Sequence, residues 1–303
     1  MSEPRRETAR RAEGRSNAAD MYLYECDVPE NLPEMKLAAY LSKAFPLLTQ
    51  NTLRDALKKK DVKVDNTRQG ADAMAERGTH VRLYTMQKAE LPIVFENDDV
   101  IVINKPAGIS TCEDSWGGMT AENVLQNVMG KGSGVKAVHR LDNQTCGLVM
   151  FAKNETAAML LEDEFRDRDN ILKEYICDVK GQMRPESAVR EAYLIKDAVH
   201  AKVRVISHNT PGAKKIITEY QALSCEDGIS RLRVTLHTGR THQIRAHMAS
   251  LGHPLVGDDL YGDRMANRRL GTLLHLCAEH LCFSEQISVE SLRGVELRIN
   301  VPF

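Results

Sequence analysis

The sequence lacks any excess of positive charge: 41 Lys and Arg stand against 42 Asp and Glu in 303 residues, a formal net charge of −1. This excludes the globally basic balance of a nonspecific nucleic-acid coat, so a nucleic-acid partner has to be met by local basic patches. The sequence also lacks a run of 18 apolar residues, and its polar start has no signal-peptide core. Neither a membrane span nor secretion is therefore expected. The seven cysteines include no Cys-x-x-Cys pair. An odd, unpaired set argues against a disulfide framework and for reduced thiols in a cytoplasmic protein. The segment from His275 through Cys277 and His280 to Cys282 lacks the usual zinc spacings and has no second ligand pair elsewhere. Buried thiols beside incidental histidines are expected there, and no metal. Gly130-x-Gly132-x-Gly134 is not a phosphate loop, since neither a preceding strand nor a following helix is evident.

What is present suffices for a packed core, with 42% hydrophobic residues, and the length suits one larger domain with a smaller module. Residues 1–20 are polar and mixed in charge and are expected to form a disordered tail. Residues 35–45 place Leu37, Leu41 and Ala44/Phe45 on one stripe of an amphipathic helix. A second helix, about 51–60, puts Leu53, Ala56 and Leu57 inside and Arg54, Lys58, Lys59 and Lys60 outside. A strand over 62–64, a turn at Asp65-Asn66 and an alternating strand at 80–84 follow. After a linker at 87–92 come strands at 93–95 and 100–104, then a helix capped by Thr120 with Gly130 past its end. Asn154 caps a helix carrying Ala157, Leu160, Leu161 and Phe165 on one face. Strands are predicted at 173–181, 218–223, 230–237 and 295–301. A helix through Ile244, Met248 and Leu251 stops at Gly252. Strands outnumber helices without strict βαβ alternation, so the expected class is α+β with a mixed, largely antiparallel sheet.

The stretch around which the chain is organised is Val138–Asn154, VHRLDNQTCGLVMFAKN. It reads as a polar turn bearing Arg140 and Asp142, then a short apolar strand. Asp142, the only carboxylate of the stretch, either sits at the rim of a cleft or serves as an ordinary Asx-type turn residue.

The spelling HRLD, followed by Thr145-x-Gly147, an apolar strand and a lysine, resembles the catalytic signature of RluA-type RNA pseudouridine synthases. A longer match lies at Gly239–Gly262, GRTHQIRAHMASLGHPLVGDDLYG, and ENDDVIVINKPAG resembles the opening of that catalytic domain. Two ordered matches about a hundred residues apart are far more specific than a lone glycine pattern. The resemblance implies a catalytic domain over 92–303. More weakly, residues 35–86 resemble an S4-type RNA-binding module. Lys36-Leu37-Ala38 and Thr49-Gln50 depart from that module's usual charged and capping residues.

The resemblance further implies an isomerase that converts specific uridines in structured RNA by base flipping. It needs no cofactor, since neither redox change nor phosphoryl transfer occurs. Asp142 is assigned as the nucleophile; a carboxylate serves when desolvated beside a cation. Arg245 is assigned as its ion-pair partner through a bidentate guanidinium. Tyr175, in KEY, is assigned to the target base. Arg140 is assigned to the gap left in the RNA stack. Arg240, His242 and Gln243, with His139 and Thr145 nearby, are RNA-facing or supporting candidates, and Arg54, Lys58, Lys59 and Lys60 are the module's phosphate contacts. The expected partner is large-subunit ribosomal RNA, with tRNA as the alternative substrate and a monomeric chain. A rival of another class is a non-catalytic RNA-binding or ribosome assembly factor.

Overall fold

The computed structural model describes residues 10–11, 21–130, 132–167, 169–197 and 202–303. The chain divides into two compact units, residues 1–92 with 108–137, and residues 93–107 with 138–303. The catalytic segment expected as 92–303 is therefore interrupted by 108–137. The tail expected at 1–20 lies outside the described residues, apart from Arg10–Arg11, a short strand beside Tyr22 and Leu23.

In the first unit, helix Leu37–Ala44 buries Leu37, Tyr40, Leu41 and Ala44, and helix Gln50–Lys59 buries Leu53, Ala56 and Leu57. The 3.6-residue period brings these side chains onto one stripe of each helix. Thr49 retains a capping role: its Oγ1 accepts the Thr52 N–H at 3.2 Å. The departure there from the S4-type pattern therefore leaves the helix capped, because a threonine hydroxyl meets the same orphan donor. The antiparallel strands His80–Thr85, Val62–Val64 and Thr67–Gln69 follow one another in the sheet, and Asp65 and Asn66 adopt φ of 45° and 70° between the last two. Two consecutive positive-φ residues of this type suit a tight two-residue hairpin. Tyr22–Asp27 adds a further antiparallel strand beside His80–Thr85 that the sequence reading omitted. The 108–137 segment joins this core through Ile109, Met119 and Val124. The Met119 N–H donates to the Ala44 carbonyl at 2.6 Å, and the Tyr40 hydroxyl to that of Trp116 at 3.2 Å.

The second unit is α+β with a mostly antiparallel sheet. From one edge its strands run Lys202–Ile206, Ser187–Asp197, Lys214–Glu226, Ile229–Leu236 and Ile171–Lys180. They continue through Leu276–Phe283, Cys146–Ala152 and Val100–Lys105 to Ile93–Glu96. Cys146–Ala152 is buried at every position, which explains its unbroken apolar spelling. Ala157, Ala158, Leu161 and Phe165 of helix Glu155–Asp167 belong to one buried cluster with Val100, Val102, Leu148 and Met150. Burying a side chain such as Leu161 contributes about 2 kcal/mol.

Cys146–Ala152 and Leu276–Phe283 pair in parallel, with Cys277 opposite Cys146 and Ala278 opposite Gly147. Gly147 has φ of 115°, and a Cβ there would collide with the Ala278 backbone. Only glycine lets the strand after Asp142 enter the sheet this closely.

The far arm of the sheet contributes Ala192, Leu194, Val203 and Ile216, which pack with Ala246 of helix Gln243–Ser250. That helix buries Ile244 and Met248, whereas Leu251 stays exposed at 36%. The strand expected at 295–301 is confined to Glu296–Arg298.

Candidate active site

A cleft of about 440 Å³ in the second unit is lined by the turn 138–142, by Lys173 and Tyr175, and by 236–245. The sheet order explains the convergence. Asp142 precedes the parallel strand Cys146–Ala152. Tyr175 lies on Ile171–Lys180, one strand beyond Leu276–Phe283, and Arg245 lies on the helix packed against the far arm.

Each side chain is placed by local bonds. The Thr145 N–H closes the turn onto the Asp142 carbonyl at 3.0 Å. His139 Nε2 accepts the Met150 N–H at 3.1 Å, and its ring stacks on Phe165 at 4.3 Å. These contacts anchor the residue before Arg140, which itself stays exposed. Lys105, fully buried, donates to the Asn143 carbonyl at 3.2 Å and the Pro106 carbonyl at 3.0 Å. Burial lowers its ammonium to about 8, against the favourable charges of Cys146 and Asp142. Tyr175, 7% exposed, follows an irregularity in the pairing with Leu276–Phe283 between Glu174 and Tyr175. Such a bulge re-aims the side chain that follows it.

Arg245 Nη1 lies 3.6 Å from Asp142 Oδ2. Its two-pronged interaction goes elsewhere. Nε and Nη2 donate to the two oxygens of Asp258, at 2.8 and 2.9 Å. The bidentate fork expected on Asp142 is thus formed with Asp258, because Asp258 is buried at 1% exposure and needs full pairing. Asp258 also accepts the N–H groups of Leu260 and Tyr261. Burial raises its carboxyl, but the Arg245 fork and these two N–H groups outweigh burial and hold it below its ordinary value. Gly257, φ 76°, admits the Leu273 backbone where a Cβ would clash, and so sets the approach of Asp258.

His242 Nε2 is 3.8 Å from the same Asp142 Oδ2, and its Nδ1 is 3.1 Å from the Tyr261 hydroxyl. Of its two expected roles, Gln243 takes the supporting one. Its Oε1 accepts from Thr238 and Arg240, and its Nε2 donates to Ile217 and Thr218. At 2% exposure, that amide holds the helix start to the sheet. Arg240 is exposed at the cleft. Arg54, Lys58, Lys59 and Lys60 lie on the exposed side of helix Gln50–Lys59 and at its end, in the N-terminal unit. Asp258 and Tyr261 had no assigned role in the sequence reading. Their signal was the i, i+3 spacing in GDDLYG, an Asp positioned to accept from the backbone of its own turn. In the His275–Cys282 segment, His275 bonds Asp178 and Cys277 is buried. Among the described residues, His280, Cys282 and Glu296 bring donor atoms within 4.8 Å of one another. Arg298 Nε already pairs there with Glu296 at 2.9 Å.

The family model for RNA pseudouridylate synthase matches residues 99–250, half of the chain. The chain belongs to the RNA pseudouridine synthase family. The synthase is 34% identical over 210 residues to "Uncharacterized RNA pseudouridine synthase YhcT" of Bacillus subtilis, covering 67% of this chain and 68% of the relative. It is 29% identical over 294 residues to "Ribosomal large subunit pseudouridine synthase C" of Rickettsia felis, covering 88% and 93%. The enzyme of Nitrosomonas europaea named "Ribosomal large subunit pseudouridine synthase D" is 32% identical over 253 residues, covering 78% and 72%. The fold is also that of human RNA Pseudouridylate Synthase Domain Containing 1, with TM-score 0.58 and 24% identity over 71% of this chain and 84% of that one. The synthase is accordingly an RNA-modifying isomerase of the RluA type.

Proposed function

We propose that the synthase isomerises specific uridines of large-subunit ribosomal RNA in the cytoplasm, with Asp142 as its nucleophile. The observation that carries the reading is the meeting of Asp142, Arg245 and Tyr175 in one cleft, with Asp142 Oδ2 facing Arg245 Nη1 at 3.6 Å. In the reaction the C1′–N1 bond breaks, the uracil turns, a C1′–C5 bond forms and the C5 proton moves to N1. All atoms are retained, so the chemistry asks only for a nucleophile, an oriented base and proton handling.

Arg245, fixed by Asp258, orients Asp142. The buried Tyr175 ring offers a stacking face for the extruded uracil. The exposed Arg140 takes the place of the flipped base, offsetting part of an unstacking cost of a few kcal/mol. The ribosomal substrate is supported by the names of the Rickettsia felis and Nitrosomonas europaea relatives. Among the described residues no helix is long and apolar enough to cross a membrane. The N-terminal unit serves as the S4-like RNA-docking module over 35–86, through Arg54, Lys58, Lys59 and Lys60.

The test is a map of pseudouridines in total RNA from cells with and without the gene. Loss of sites in large-subunit RNA is expected. Loss confined to tRNA would move the substrate, and no loss would favour a non-catalytic RNA-binding or assembly role.

A further inference from the structure

We infer that His242 is locked by Tyr261 in the Nε2–H tautomer and acts as a second positioning residue for Asp142. The inference rests on the nucleophile reading above and places a neutral N–H beside Asp142 along with the Arg245 cation. Its basis is a chain of contacts. The Val203 N–H donates to the Tyr261 hydroxyl oxygen at 3.0 Å. The hydroxyl also lies 3.1 Å from His242 Nδ1, and we assign its proton to that contact, since the Val203 N–H already occupies the oxygen as acceptor. A neutral imidazole whose Nδ1 accepts carries its proton on Nε2. Nε2 is the atom that faces Asp142 Oδ2, at 3.8 Å.

Burial of His242 favours this neutral form. Burial dominates and lowers its proton affinity. Asp142 raises it, Arg245 lowers it, Asp258 raises it and Arg140 lowers it, for a net downward shift. An uncharged ring can turn the positive end of its N–H toward Asp142 without adding a cation beside Arg245.

The backbone supports the assignment. His242 occupies the left-handed region, φ 55° and ψ 22°, at the start of helix Gln243–Ser250. A non-glycine residue held there is strained and persists only where its surroundings fix it. Tyr261 packs against His242 and also meets Arg245. Its ring meets His242 edge-on at 5.7 Å, and the Arg245 guanidinium lies 5.5 Å from the ring centre. One tyrosine thereby sets both groups that face Asp142. Both stand close to Oδ2.

Two measurements on the full-length protein decide the matter. Nitrogen-15 NMR of the imidazole rings, without RNA, reads the tautomer, and His242→Gln assigns the signal by its disappearance. The Nε2–H form is expected near neutral pH in the wild type and a mixture of tautomers in Tyr261→Phe. On the RNA identified by the pseudouridine map, His242→Ala should lower kcat by roughly 10–100-fold, the scale of a misplaced reacting group. KM should move by no more than about twofold, as for an interaction that acts on the chemical step. His242→Gln, whose amide can reach the place of Nε2–H, should recover most of the rate.

An Nδ1–H tautomer or an imidazolium in the wild type overturns the inference. So does an unchanged kcat in His242→Ala, or a loss confined to KM, which would make His242 an RNA contact. If the wild type forms no pseudouridine on any RNA, the nucleophile reading itself falls. The tautomer measurement then still decides whether the Tyr261–His242 lock exists.

Discussion

Arg245 turns its planar fork to Asp258 and only its remaining nitrogen to Asp142. Nε and Nη2 lie 2.8 and 2.9 Å from Asp258, and Nη1 lies 3.6 Å from Asp142. The arginine is thus held before any RNA arrives, and Asp142 meets a cation whose position another residue has set. Pre-organisation of this kind is what a reacting carboxylate gains most from.

Removing Asp258 should therefore impair both folding and chemistry. Asp258→Ala leaves the Arg245 charge buried without its partner and is expected to destabilise by about 3–5 kcal/mol, measured by urea unfolding. Asp258→Asn should fold better and still lose most of its kcat, because a neutral amide holds the fork weakly. The pH dependence follows from the depressed carboxyl. Its stabilisation is complete above the unfolded value near 3.9 and is lost as pH falls through the lower folded value. That component of acid unfolding should vanish in Asp258→Asn.

Lys105 has the opposite balance. Its ammonium is lowered by burial from 10.5 to about 8, so as pH falls through this window the unfolded chain takes up the proton first and the fold loses stability. Between about pH 7 and pH 9.5 the wild type should gain roughly 2 kcal/mol relative to Lys105→Met, read from urea midpoints. The variant should lose activity, since Lys105 supports the Asn143 carbonyl beside Asp142. Parallel stability curves for the two proteins would show that Lys105 is not titrating in that range.

How far the site was legible from the sequence depends on what each residue packs against. That Asp142, Tyr175 and Arg245 share one cleft was legible because they sit in spelled motifs, and Cys146–Ala152 because a strand buried on both faces reads as one apolar run. Asp258 was not, since its partner Arg245 is 13 residues away and only the fold brings them together. The strand Ser187–Asp197 escaped notice for another reason. Only Ala192 and Leu194 in it are fully buried, and Arg190, Glu191 and Lys196 break the alternation. For Gln243 the sequence left an RNA-facing and a supporting role open, because only the fold shows its amide satisfying buried backbone and hydroxyl groups.

Tyr175 divides into ring and hydroxyl. If the ring stacks on the base and the hydroxyl handles a proton, Tyr175→Ala should lose both tight binding of the flipped base and turnover. Tyr175→Phe should bind normally and stall after the uracil is displaced, seen as a single-turnover burst without release. Full activity in both variants would reduce Tyr175 to sheet packing.

The N-terminal unit is tested by charge alone. Changing Lys58, Lys59 and Lys60 together to Gln removes exposed charge at the end of a helix whose buried stripe is untouched. Each lost phosphate contact should reduce the slope of log K against log salt by roughly 0.7–0.9. Full-length RNA should bind more weakly, while a saturating short stem-loop turns over at the wild-type rate. Identical salt slopes would make this helix end an ordinary solvated face.

The central claim, that Asp142 attacks the nucleotide, is tested most directly by the turnover of Asp142→Asn on the mapped RNA, with affinity measured beside it. Asparagine keeps the shape of the side chain and removes the nucleophile, so pseudouridine formation should be abolished and RNA affinity nearly unchanged. Activity within about tenfold of the wild type, a loss of only ~1.4 kcal/mol in transition-state stabilisation, would contradict the claim.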